Sequence, residues 1–329
     1  MNVFMTGASG FIGGRLIGKL LDDNHRLTIL IRDPLKAKEL ATAGVKIFAG
    51  DLSDKEILKS AMEECDWVFH LAAYARPGSI DPELPFITNV TGTLNVLEAA
   101  KEKSVKKVII TSTAGTLGWS HDGKPVDEKA SEGIDLKTEY ERTKALMEKA
   151  ALDYSSDNFE VIIVNPTRVY GPGKITLSNS VTRIIKLYSK GLWRILPGDG
   201  KSIGNYVFID DVVRGIILAA ANGKGGERYI LGGENISYID FFNVLGELYG
   251  HKRRMFKFKE PTLKRIAGFA ATCSKIFNTP AIIGNEWIER YLRDWIVSSD
   301  KAKRMLNYKI TPFREGARIT IQWLKALQK

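Results

Sequence analysis

Three glycines at a fixed spacing near the start of the chain restrict its fold more than any other feature. Gly7, Gly10 and Gly13 follow a short apolar run at residues 3–5 and open an amphipathic stretch at residues 11–22. In a strand, turn and helix unit, the first glycine permits a tight turn, the second lets the backbone approach a pyrophosphate, and the third allows close packing. Free N–H groups at the start of the helix also favour an anion. The pattern predicts a dinucleotide site, and a purely structural turn is the alternative.

Short apolar runs rich in Val and Ile recur through the first half of the chain. They lie at residues 3–5, 27–31, 45–48, 67–71, 108–110 and 161–164. Runs of this kind, without strict alternation, suit parallel strands that are buried on both faces. The stretches between them have helical periodicity, at residues 11–22, 54–63, 89–103 and 140–154. The alternation predicts an α/β fold with a doubly wound parallel sheet, the Rossmann architecture.

After residue 164 this alternation stops, because loops rich in Pro and Gly interrupt it. We therefore expect a smaller, mostly helical C-terminal lobe that binds the substrate. The predicted dinucleotide-binding domain comprises residues 1–170 with 205–230, and the predicted substrate-binding lobe comprises residues 171–204 with 231–329. Residues 206–209 and 228–231 look like strands that could return to the main sheet.

Bulk composition excludes some classes of protein and leaves others open. The chain is 44% hydrophobic and 26% charged, unlike a disordered protein. Its formal charge of +10 does not distinguish nucleic acid, an anionic surface or a phosphate-bearing ligand. We expect no nucleic-acid partner. No membrane span is expected either, because charged residues and Pro280 interrupt the apolar stretch at residues 263–283.

The cysteines indicate the environment in which the chain works. Cys65 and Cys273 occur in unrelated contexts, without CxxC or metal-ligand spacing. Neither a disulfide framework nor a metal site is expected, and a reducing compartment fits. Since the start of the sequence also lacks the basic and apolar regions of a secretory signal, we expect a cytoplasmic location.

The end of the second predicted strand indicates which dinucleotide binds. This end meets the adenosine ribose, and here it reads Arg32-Asp33. Arg32 can make charge-assisted hydrogen bonds to the 2′-phosphate of NADP. The alternative is that Arg32 stacks on the adenine and Asp33 takes the 2′-hydroxyl of NAD. We expect NADP(H), with NAD(H) as the other possibility.

Seven motifs occur along the chain in the order typical of one enzyme family. They are Gly7-x-x-Gly10-x-x-Gly13, Gly50-Asp51-Leu52, His70-Leu71-Ala72-Ala73, Asn89-Val-Thr-Gly92, Tyr140-x-x-x-Lys144, Asn165-Pro166-Thr-Arg-Val-Tyr170-Gly-Pro-Gly and Ile209-Asp210-Asp211-Val212. On these motifs the chain resembles the extended short-chain dehydrogenase/reductase (NAD-dependent epimerase/dehydratase) family over nearly its whole length. Two further stretches, Arg32-Asp33-Pro34 and Ser112-Thr-Ala-Gly-Thr-Leu-Gly118, look like dihydroflavonol 4-reductase and its bacterial relatives. The resemblance implies an NAD(P)-dependent oxidoreductase.

Tyr140 and Lys144 are the predicted catalytic pair. Four residues apart, they lie on one face of a helix. A nearby ammonium and an oxidised nicotinamide ring would favour the phenolate of Tyr140, so that it exchanges a proton with the substrate oxygen while hydride moves. By the resemblance, Lys144 also holds the nicotinamide ribose. A surface Tyr and Lys on an amphipathic helix is the alternative interpretation.

The third catalytic residue is expected at the carboxyl end of the strand at residues 108–110. Aligned on Gly118, the family's catalytic Ser or Thr corresponds to Thr113, and Ser112 is the second candidate. The hydroxyl would steer the substrate oxygen towards Tyr140, as a preorganised donor does. Asn89 is interpreted as a helix cap rather than a catalytic group.

The remaining predicted cofactor contacts follow from the resemblance. Asp51 and Leu52 should lie by the adenine, residues 71–73 along the middle of the cofactor, and residues 166–169 near the nicotinamide. The complete predicted cofactor set is Gly7, Gly10, Phe11, Ile12, Gly13, Arg32, Asp51, Leu52, Leu71, Ala72, Ala73, Tyr140, Lys144, Pro166, Thr167 and Val169.

One departure from the family pattern narrows the class of substrate that we expect. Many sugar-nucleotide members carry Arg-Asp before an aromatic-Val strand, and that arginine contacts the diphosphate; here the sequence is Gly204-Asn205-Tyr206-Val. A diphosphate could still meet other cations, namely Arg183, Arg194 or Lys201. We therefore expect a small-molecule carbonyl or alcohol substrate of apolar character, in a pocket formed by Trp119, Tyr170 and the second lobe.

Two other functions stay open at this point. One is a sugar or sugar-nucleotide epimerase or dehydratase, which would use the same Tyr140 chemistry and regenerate its cofactor. The other is a non-catalytic, dinucleotide-sensing protein, against which the Tyr140/Lys144 pair speaks. In the family, the helices that begin near Asn89 and Tyr140 often pair across a two-fold axis, so a homodimer is possible.

Overall fold

The computed structural model describes residues 1–40, 44–75, 81–130, 134, 136–175, 179–265, 267–268 and 285–327. Its centre is a seven-stranded sheet in which every pairing is parallel. In spatial order the strands are β3, β2, β1, β4, β5, β6 and β10. Their ranges are Asn2–Thr6 (β1), Arg26–Ile31 (β2), Val45–Ala49 (β3), Trp67–His70 (β4), Lys107–Thr111 (β5), Glu160–Pro166 (β6) and Arg228–Leu231 (β10). The predicted doubly wound parallel sheet is confirmed.

Both faces of this sheet are covered, which explains the unbroken apolar runs. In β1, Val3 and Met5 pack in one core, whereas Phe4 packs in the other, as the alternation of side chains along a strand requires. One face meets α1 (Phe11–Asp22), α8 (Ile209–Asn222) and α11 (Asp300–Leu306). The other meets α3 (Lys55–Ala61), α5 (Gly92–Glu102) and α6 (Glu139–Leu152).

The strand order reverses between β1 and β4. The loops after these two strands therefore diverge, and they leave a crevice at the carboxyl end of the sheet where ligands of this architecture bind. The glycine loop after β1 and residues 71–73 after β4 form the two sides of that crevice. The fold thus brings the predicted cofactor segments to one edge.

Of the two strands predicted to return to the main sheet, one does. Residues 228–231 form β10, parallel to β6. The prediction for residues 206–209 is wrong: Tyr206 to Phe208 belong to β9 (Ile203–Phe208), which pairs with β7 (Arg168–Tyr170) and β11 (Glu234–Ser237) in a separate sheet. The edge beside β6 is already occupied by β10, so β9 cannot pair there.

The remaining helices gather around an aromatic core beside this second sheet. Tyr206, Phe241 and Phe313 lie at its centre, with ring centroids 4.8 to 5.7 Å apart. The elements are α7 (Ser180–Ser189), α9 (Tyr238–Tyr249), α10 (Asn285–Leu292), α12 (Phe313–Ala326) and a small two-stranded sheet of β8 (Ile195–Pro197) and β12 (Phe256–Phe258). Two further helices, α2 (Pro34–Leu40) and α4 (Leu84–Phe86), lie in the first half of the chain. The division into two lobes at residue 170 stays a prediction.

Some residues singled out in the sequence lie outside the described part, including Cys273 and much of the apolar stretch at residues 263–283. Cys65 is buried, and burial raises the pKa of its thiol to about 11. Among the described residues, no helix combines the length and the apolar character that a bilayer span requires. The same residues contain no group of three His, Cys, Asp or Glu suited to a metal ion.

Candidate active site

The glycine loop is built as the sequence pattern requires. Gly7 has a φ of +74°, and a Cβ there would come within 2.5 Å of the backbone of Leu71 and Ala72. A Cβ on Gly13 would lie 2.2 Å from the carbonyl oxygen of Gly7, so a side chain at either position is excluded. The turn is closed by the Gly10 N–H, which donates to that same carbonyl at 3.0 Å. The loop presents bare backbone to the crevice.

The helix that follows is open at its N-terminus. Gly10 is the N-cap of α1, and no side chain caps the first turn within the described chain. Phe11 and Ile12 turn their side chains into apolar cores, Phe11 against Gly173. Their backbone N–H groups and the helix dipole can therefore serve a phosphate.

The ends of β2 and β3 place the predicted adenosine residues side by side. The Arg32 side chain is 71% exposed, and its Nη1 lies 3.7 Å from Oδ2 of Asp51. Asp33 is committed to α2: its carboxylate accepts from the Leu35 N–H at 3.0 Å and lies 3.3 Å from Lys36 Nζ. These contacts hold the pKa of Asp33 below its ordinary value. Arg32 is thus available at the crevice, whereas Asp33 is engaged in the start of a helix.

Leu52 follows Asp51 and lines the same end of the sheet. Its side chain is buried against Gly92, where a Cβ would come within 2.9 Å of it. Its carbonyl accepts from Nδ2 of Asn95 at 2.9 Å. The adenine end is therefore fixed by α5 as well as by the strands.

A buried histidine ties the two sides of the crevice together. The ring of His70 contacts Oγ1 of Thr6 at 2.7 Å through Nδ1 and Oγ1 of Thr93 at 2.9 Å through Nε2. The Thr93 hydroxyl gives its one hydrogen to the Asn89 carbonyl at 2.7 Å, so it accepts from Nε2–H, and Nδ1 accepts from Thr6. Thr6 in turn accepts from the Ala72 N–H at 3.2 Å. Burial lowers the pKa of His70 to about 3, which keeps the ring neutral.

Thr113 lies at the carboxyl end of β5 and begins a loop, residues 113–118, that we call the Thr113 loop. Its Oγ1 accepts from the Gly115 N–H at 3.1 Å and caps a short 3₁₀ helix, Ala114–Leu117. A hydroxyl that only accepts retains its hydrogen for another acceptor. The half-buried Thr113 therefore has a donor to offer, whereas Ser112 is buried and its Oγ has no partner in the described structure.

Tyr140 and Lys144 lie one turn apart in α6, as predicted. A capping box made by Thr138 and Glu141 fixes the start of this helix. Lys144 is buried, and its Nζ donates to the carbonyl of Thr111 at 2.8 Å. The helix thus brings the Lys144 side chain to the end of β5, next to the Thr113 loop.

The electrostatics of Tyr140 differ from expectation. Burial raises the pKa of its phenol to about 12, and the cation that acts against this rise is Arg290 of α10 rather than Lys144. Lys144 is itself affected by burial, which lowers its pKa to about 8, while Glu148 acts in the opposite sense. The protein alone therefore keeps the phenol protonated at neutral pH.

Asn89 is not a helix cap, so that interpretation is wrong. It lies inside a five-residue π-helical turn, Ile87–Thr91, between α4 and α5. Its amide accepts from the Tyr74 N–H at 2.7 Å and donates to Oγ1 of Thr143 at 2.9 Å. Asn89 thus joins the segment after β4 to α6.

The predicted nicotinamide residues lie at the end of β6 and in β7. Pro166 is buried, and Oγ1 of Thr167 donates to Oδ1 of Asn205 at 2.7 Å. Val169 packs against the main core and the aromatic core. Tyr170 was predicted to line the pocket, but it is fully buried between Phe208 and Phe313, so this prediction is wrong.

A cleft of about 380 Å³ opens beside the start of α6. Trp119 lines it. Six of the residues that form its walls are Gly115, Trp119, Thr138, Arg290, Arg293 and Trp295. The Arg293 guanidinium lies 4.0 Å from the Trp119 ring centroid, and that of Arg290 lies 5.1 Å from the Trp295 ring centroid.

Sequence reasoning did not assign Arg290, Arg293 or Trp295 to the site. The sequence at residues 287–295 has helical spacing of apolar residues that resembles ordinary packing, but the helix ends at Leu292, and Arg293 and Trp295 lie beyond it. In the described structure, hydrogen bonds bring them to the cleft. The Trp295 backbone N–H donates to the Ile203 carbonyl, and Asp294 accepts from the N–H groups of Ser120 and Ile203. No local pattern in the sequence predicts such contacts.

Comparison with known proteins agrees with this geometry. A family model described as NAD dependent epimerase/dehydratase matches residues 3–232. A putative dihydroflavonol 4-reductase of Synechocystis is 31% identical over 252 residues, which cover 75% of this chain and 72% of that protein. A 4-hydroxy-2-methyl-3-oxo-4-farnesyl-3,4-dihydroquinoline-1-oxide ketoreductase of Stigmatella aurantiaca is 27% identical and covers 94% of this chain and 92% of its own.

Among solved structures, the crystal structure of gox2253 superposes with a TM-score of 0.81 at 31% identity and covers 99% of this chain and 98% of its own. The family match spans the glycine loop, the Thr113 loop and α6. The protein is therefore an NAD(P)-dependent enzyme that belongs to the NAD dependent epimerase/dehydratase family, within the extended short-chain dehydrogenases/reductases.

Proposed function

We propose that the protein is an NADPH-dependent carbonyl reductase, which interconverts an aldehyde or ketone and its alcohol. The observation that supports this choice is the glycine at position 204, where many sugar-nucleotide members carry an arginine. A Cβ there would lie 2.6 Å from Nη1 of Arg168 and 2.9 Å from the Tyr206 ring. A side chain at this point would therefore require Arg168 to move.

Arg168 fills that space without offering an equivalent contact. Its guanidinium lies 4.8 Å from the Tyr291 ring centroid and 5.7 Å from that of Tyr238. It donates to the Tyr238 hydroxyl and, at 3.2 Å, to the carbonyl of Arg290. Aromatic rings and a carbonyl thus engage the guanidinium of Arg168, which is therefore not available to bind a diphosphate.

The other cations considered for a diphosphate do not meet the cleft. Arg194 donates to the carbonyls of Gly191 and Arg254 at 3.1 and 3.2 Å. Neither Arg183, Arg194 nor Lys201 is among the described residues that line the cleft. The two tryptophans of the cleft favour a substrate with a flat, apolar body, which would lie beside the guanidinium groups of Arg290 and Arg293.

The residues present fit a bound NADP(H). The bare glycine loop and the open start of α1 would hold the pyrophosphate, and the exposed Arg32 would bind the 2′-phosphate. Asp51 and Leu52 would lie by the adenine, and Leu71 to Ala73 along the middle. When bound, the cofactor supplies or accepts the hydride.

The chain's own groups would handle the proton and the orientation of the substrate. Tyr140 holds a proton at neutral pH, so in the reductive direction its phenol would donate that proton to the carbonyl oxygen. The Thr113 hydroxyl, which retains its hydrogen, would bond the same oxygen and align it. Lys144 would supply positive charge to the phenolate that remains after the transfer.

The assay that tests this proposal follows NADPH absorbance with a panel of aromatic and aliphatic aldehydes and ketones, and repeats it with NADH. Consumption of NADPH with alcohol formation is expected. Conversion of a sugar nucleotide without net cofactor consumption would instead support the epimerase. Cofactor binding with no turnover of either kind would support the dinucleotide-sensing protein.

We also propose a homodimer formed by the region around α5 and α6. Phe86, Ile87 and Leu146 lie on this side of the molecule and are 46%, 46% and 51% exposed. Apolar side chains left open on neighbouring helices suit a self-complementary two-fold contact. Light scattering should give twice the mass of the chain, and a monomer at micromolar concentration would refute this assembly.

A further inference from the structure

A buried carboxylate, which the proposed chemistry does not use, lies directly beneath the catalytic groups. Glu148 follows Lys144 by one turn of α6, and its side chain is only 4% exposed. It accepts from Nδ2 of Asn165 at 2.7 Å, Oγ1 of Thr116 at 2.9 Å and Nη1 of Arg228 at 3.1 Å. A carboxylate removed from water is costly unless such partners surround it.

Two of these partners also hold the Thr113 loop. Nδ2 of Asn165 donates to the carbonyl of Thr113 at 3.0 Å, and Oγ1 of Thr116 reaches the same carbonyl at 2.8 Å. Nδ2 of Asn165 has two hydrogens and can serve both the carboxylate of Glu148 and the Thr113 carbonyl, whereas these two acceptors compete for the single hydrogen of the Thr116 hydroxyl. Displacement of Glu148 would release the groups that fix the backbone of Thr113.

Glu148 also faces Lys144. Burial lowers the pKa of the Lys144 ammonium to about 8, and the negative charge of Glu148 acts against this fall. The ammonium has one described hydrogen-bond acceptor, the carbonyl of Thr111 at 2.8 Å. Glu148 is thus the anion that favours the charged form of Lys144.

Other titratable or charged groups around this pair come from several elements. His70 at the end of β4 lies near Lys144 and is kept neutral by burial. Tyr140 belongs to α6 itself, and Glu148 raises its pKa. Arg228 of β10 faces Glu148 and donates through Nη2 to the Glu128 carbonyl at 2.9 Å, while the Glu128 carboxylate accepts from the Ile230 N–H.

We propose that Glu148 is a positioning residue, which keeps Lys144 charged and holds the Thr113 loop in place for the reaction. This inference rests on the proposed function, because it assigns Glu148 to the Tyr140 site. Arg228 balances the charge of Glu148 from the returning strand. The contact between Arg228 and Glu148 thus connects the proposed catalytic groups to β10, the strand at one edge of the main sheet.

The first test is the pH dependence of kcat/KM for NADPH-dependent reduction by Glu148→Gln. The amide keeps a hydrogen-bond acceptor near Thr116 and Asn165 but removes the charge. Lys144 then loses its proton more readily, and activity that needs the ammonium is lost at lower pH. We expect the alkaline limb of the profile to move down by about one pH unit.

Two further variants separate charge from position. Glu148→Asp keeps the charge but is shorter by one methylene, so we expect the alkaline limb to stay in place while kcat falls by about tenfold. Arg228→Gln removes the cation that opposes Glu148, so the limb should move to higher pH. An alkaline limb that Glu148→Gln leaves unmoved, with normal kcat, would overturn the proposal; if that variant does not fold, an unmoved limb in Arg228→Gln does so.

A measurement without turnover keeps this inference distinct from the proposed function. The free energy of unfolding of the cofactor-free protein is measured against pH and compared with that of Lys144→Met. Since the folded chain binds the Lys144 proton less strongly than the unfolded chain, wild-type stability should rise relative to the variant between about pH 8 and 10.5.

In the Glu148→Gln background, this rise should begin at lower pH. One outcome is that wild type reduces no carbonyl compound while the rise in stability still begins at lower pH in the Glu148→Gln background. In that case the proposed reaction fails and the coupling of Glu148 to Lys144 stands. If wild type is active and neither the stability curve nor the alkaline limb moves, the proposed reaction stands and the role of Glu148 fails.

Discussion

The proposed cofactor side and the proposed substrate side of the active site are specified in different ways. On the cofactor side, Gly7, Gly10 and Gly13 lie in one loop and the first turn of α1, and their backbone has the conformation that their spacing requires. On the substrate side, Trp119 and Trp295 come from distant parts of the chain and meet only in the folded protein. A site made by residues that are close in the sequence can be recognised from the sequence, whereas a site made by distant residues can be recognised only in the folded structure.

The contrast also concerns chemistry. Side chains are excluded from the glycine loop, so its ligand meets backbone N–H groups and a helix dipole. The cleft instead presents tryptophan rings and guanidinium groups. The first surface suits one cofactor shared by a whole family, and the second can change from member to member without disturbing the first.

The largest effect is expected at Tyr140. Tyr140→Phe should lower kcat by about 10² to 10⁴-fold, because the variant has no proton to give to the carbonyl oxygen. The dissociation constant for NADPH, from fluorescence titration, should change little. Tyr154→Phe is the matched control, since its hydroxyl lies at the far end of α6, 3.5 Å from Glu98. Near-normal turnover by Tyr140→Phe would remove Tyr140 from the mechanism.

Thr113 and Ser112 test whether geometry identifies the orienting hydroxyl. Thr113→Val should lower kcat by about 10²-fold, because it removes a preorganised donor. Ser112→Ala should have a much smaller effect on kcat, since that hydroxyl is buried. Steady-state kinetics of both variants test this assignment. A larger fall in kcat for Ser112→Ala than for Thr113→Val would identify Ser112 as the orienting hydroxyl.

How far the sequence predicts the protein depends on the range of the interactions involved. The strands of the main sheet were predictable because burial on both faces leaves long apolar runs. The glycine loop and the Tyr140/Lys144 spacing are local as well. The prediction for Tyr170 is wrong because a sequence motif does not show which way a side chain points, and here the ring packs against Phe313.

The electrostatics of the site could not be predicted from spacing. Lys144 is near Tyr140 in the sequence, yet burial raises the pKa of the phenol and Arg290 of α10 is the cation that opposes this rise. Likewise, Glu148 shows its role only through Asn165 and Arg228, which arrive on β6 and β10. Charge effects depend on distances in space, and those are set by tertiary packing.

A sharper test of the cofactor side uses two glycines of one helix. Gly13→Ala places a methyl group 2.2 Å from the Gly7 carbonyl oxygen, so we expect a loss of about 1–3 kcal/mol of stability from overpacking, together with weaker NADPH binding. Gly18→Ala has nothing within 4 Å of the new methyl group and should be neutral or stabilising. Thermal unfolding and NADPH titration measure both. Equal behaviour of the two variants would show that Gly13 does not set the loop.

The smallest expected effect concerns the choice between the two dinucleotides. Arg32→Ala removes an exposed guanidinium whose only described ion pair is the contact with Asp51 at 3.7 Å, so the fold should be unaffected. NADPH binding should weaken by about tenfold, the size of one charge-assisted hydrogen bond, while NADH binding changes little. Lys36→Ala is the matched control, because Lys36 is paired with Asp33 at the start of α2. If Arg32→Ala weakens both dinucleotides equally, Arg32 stacks on the adenine and the preference for NADP must come from elsewhere in the site.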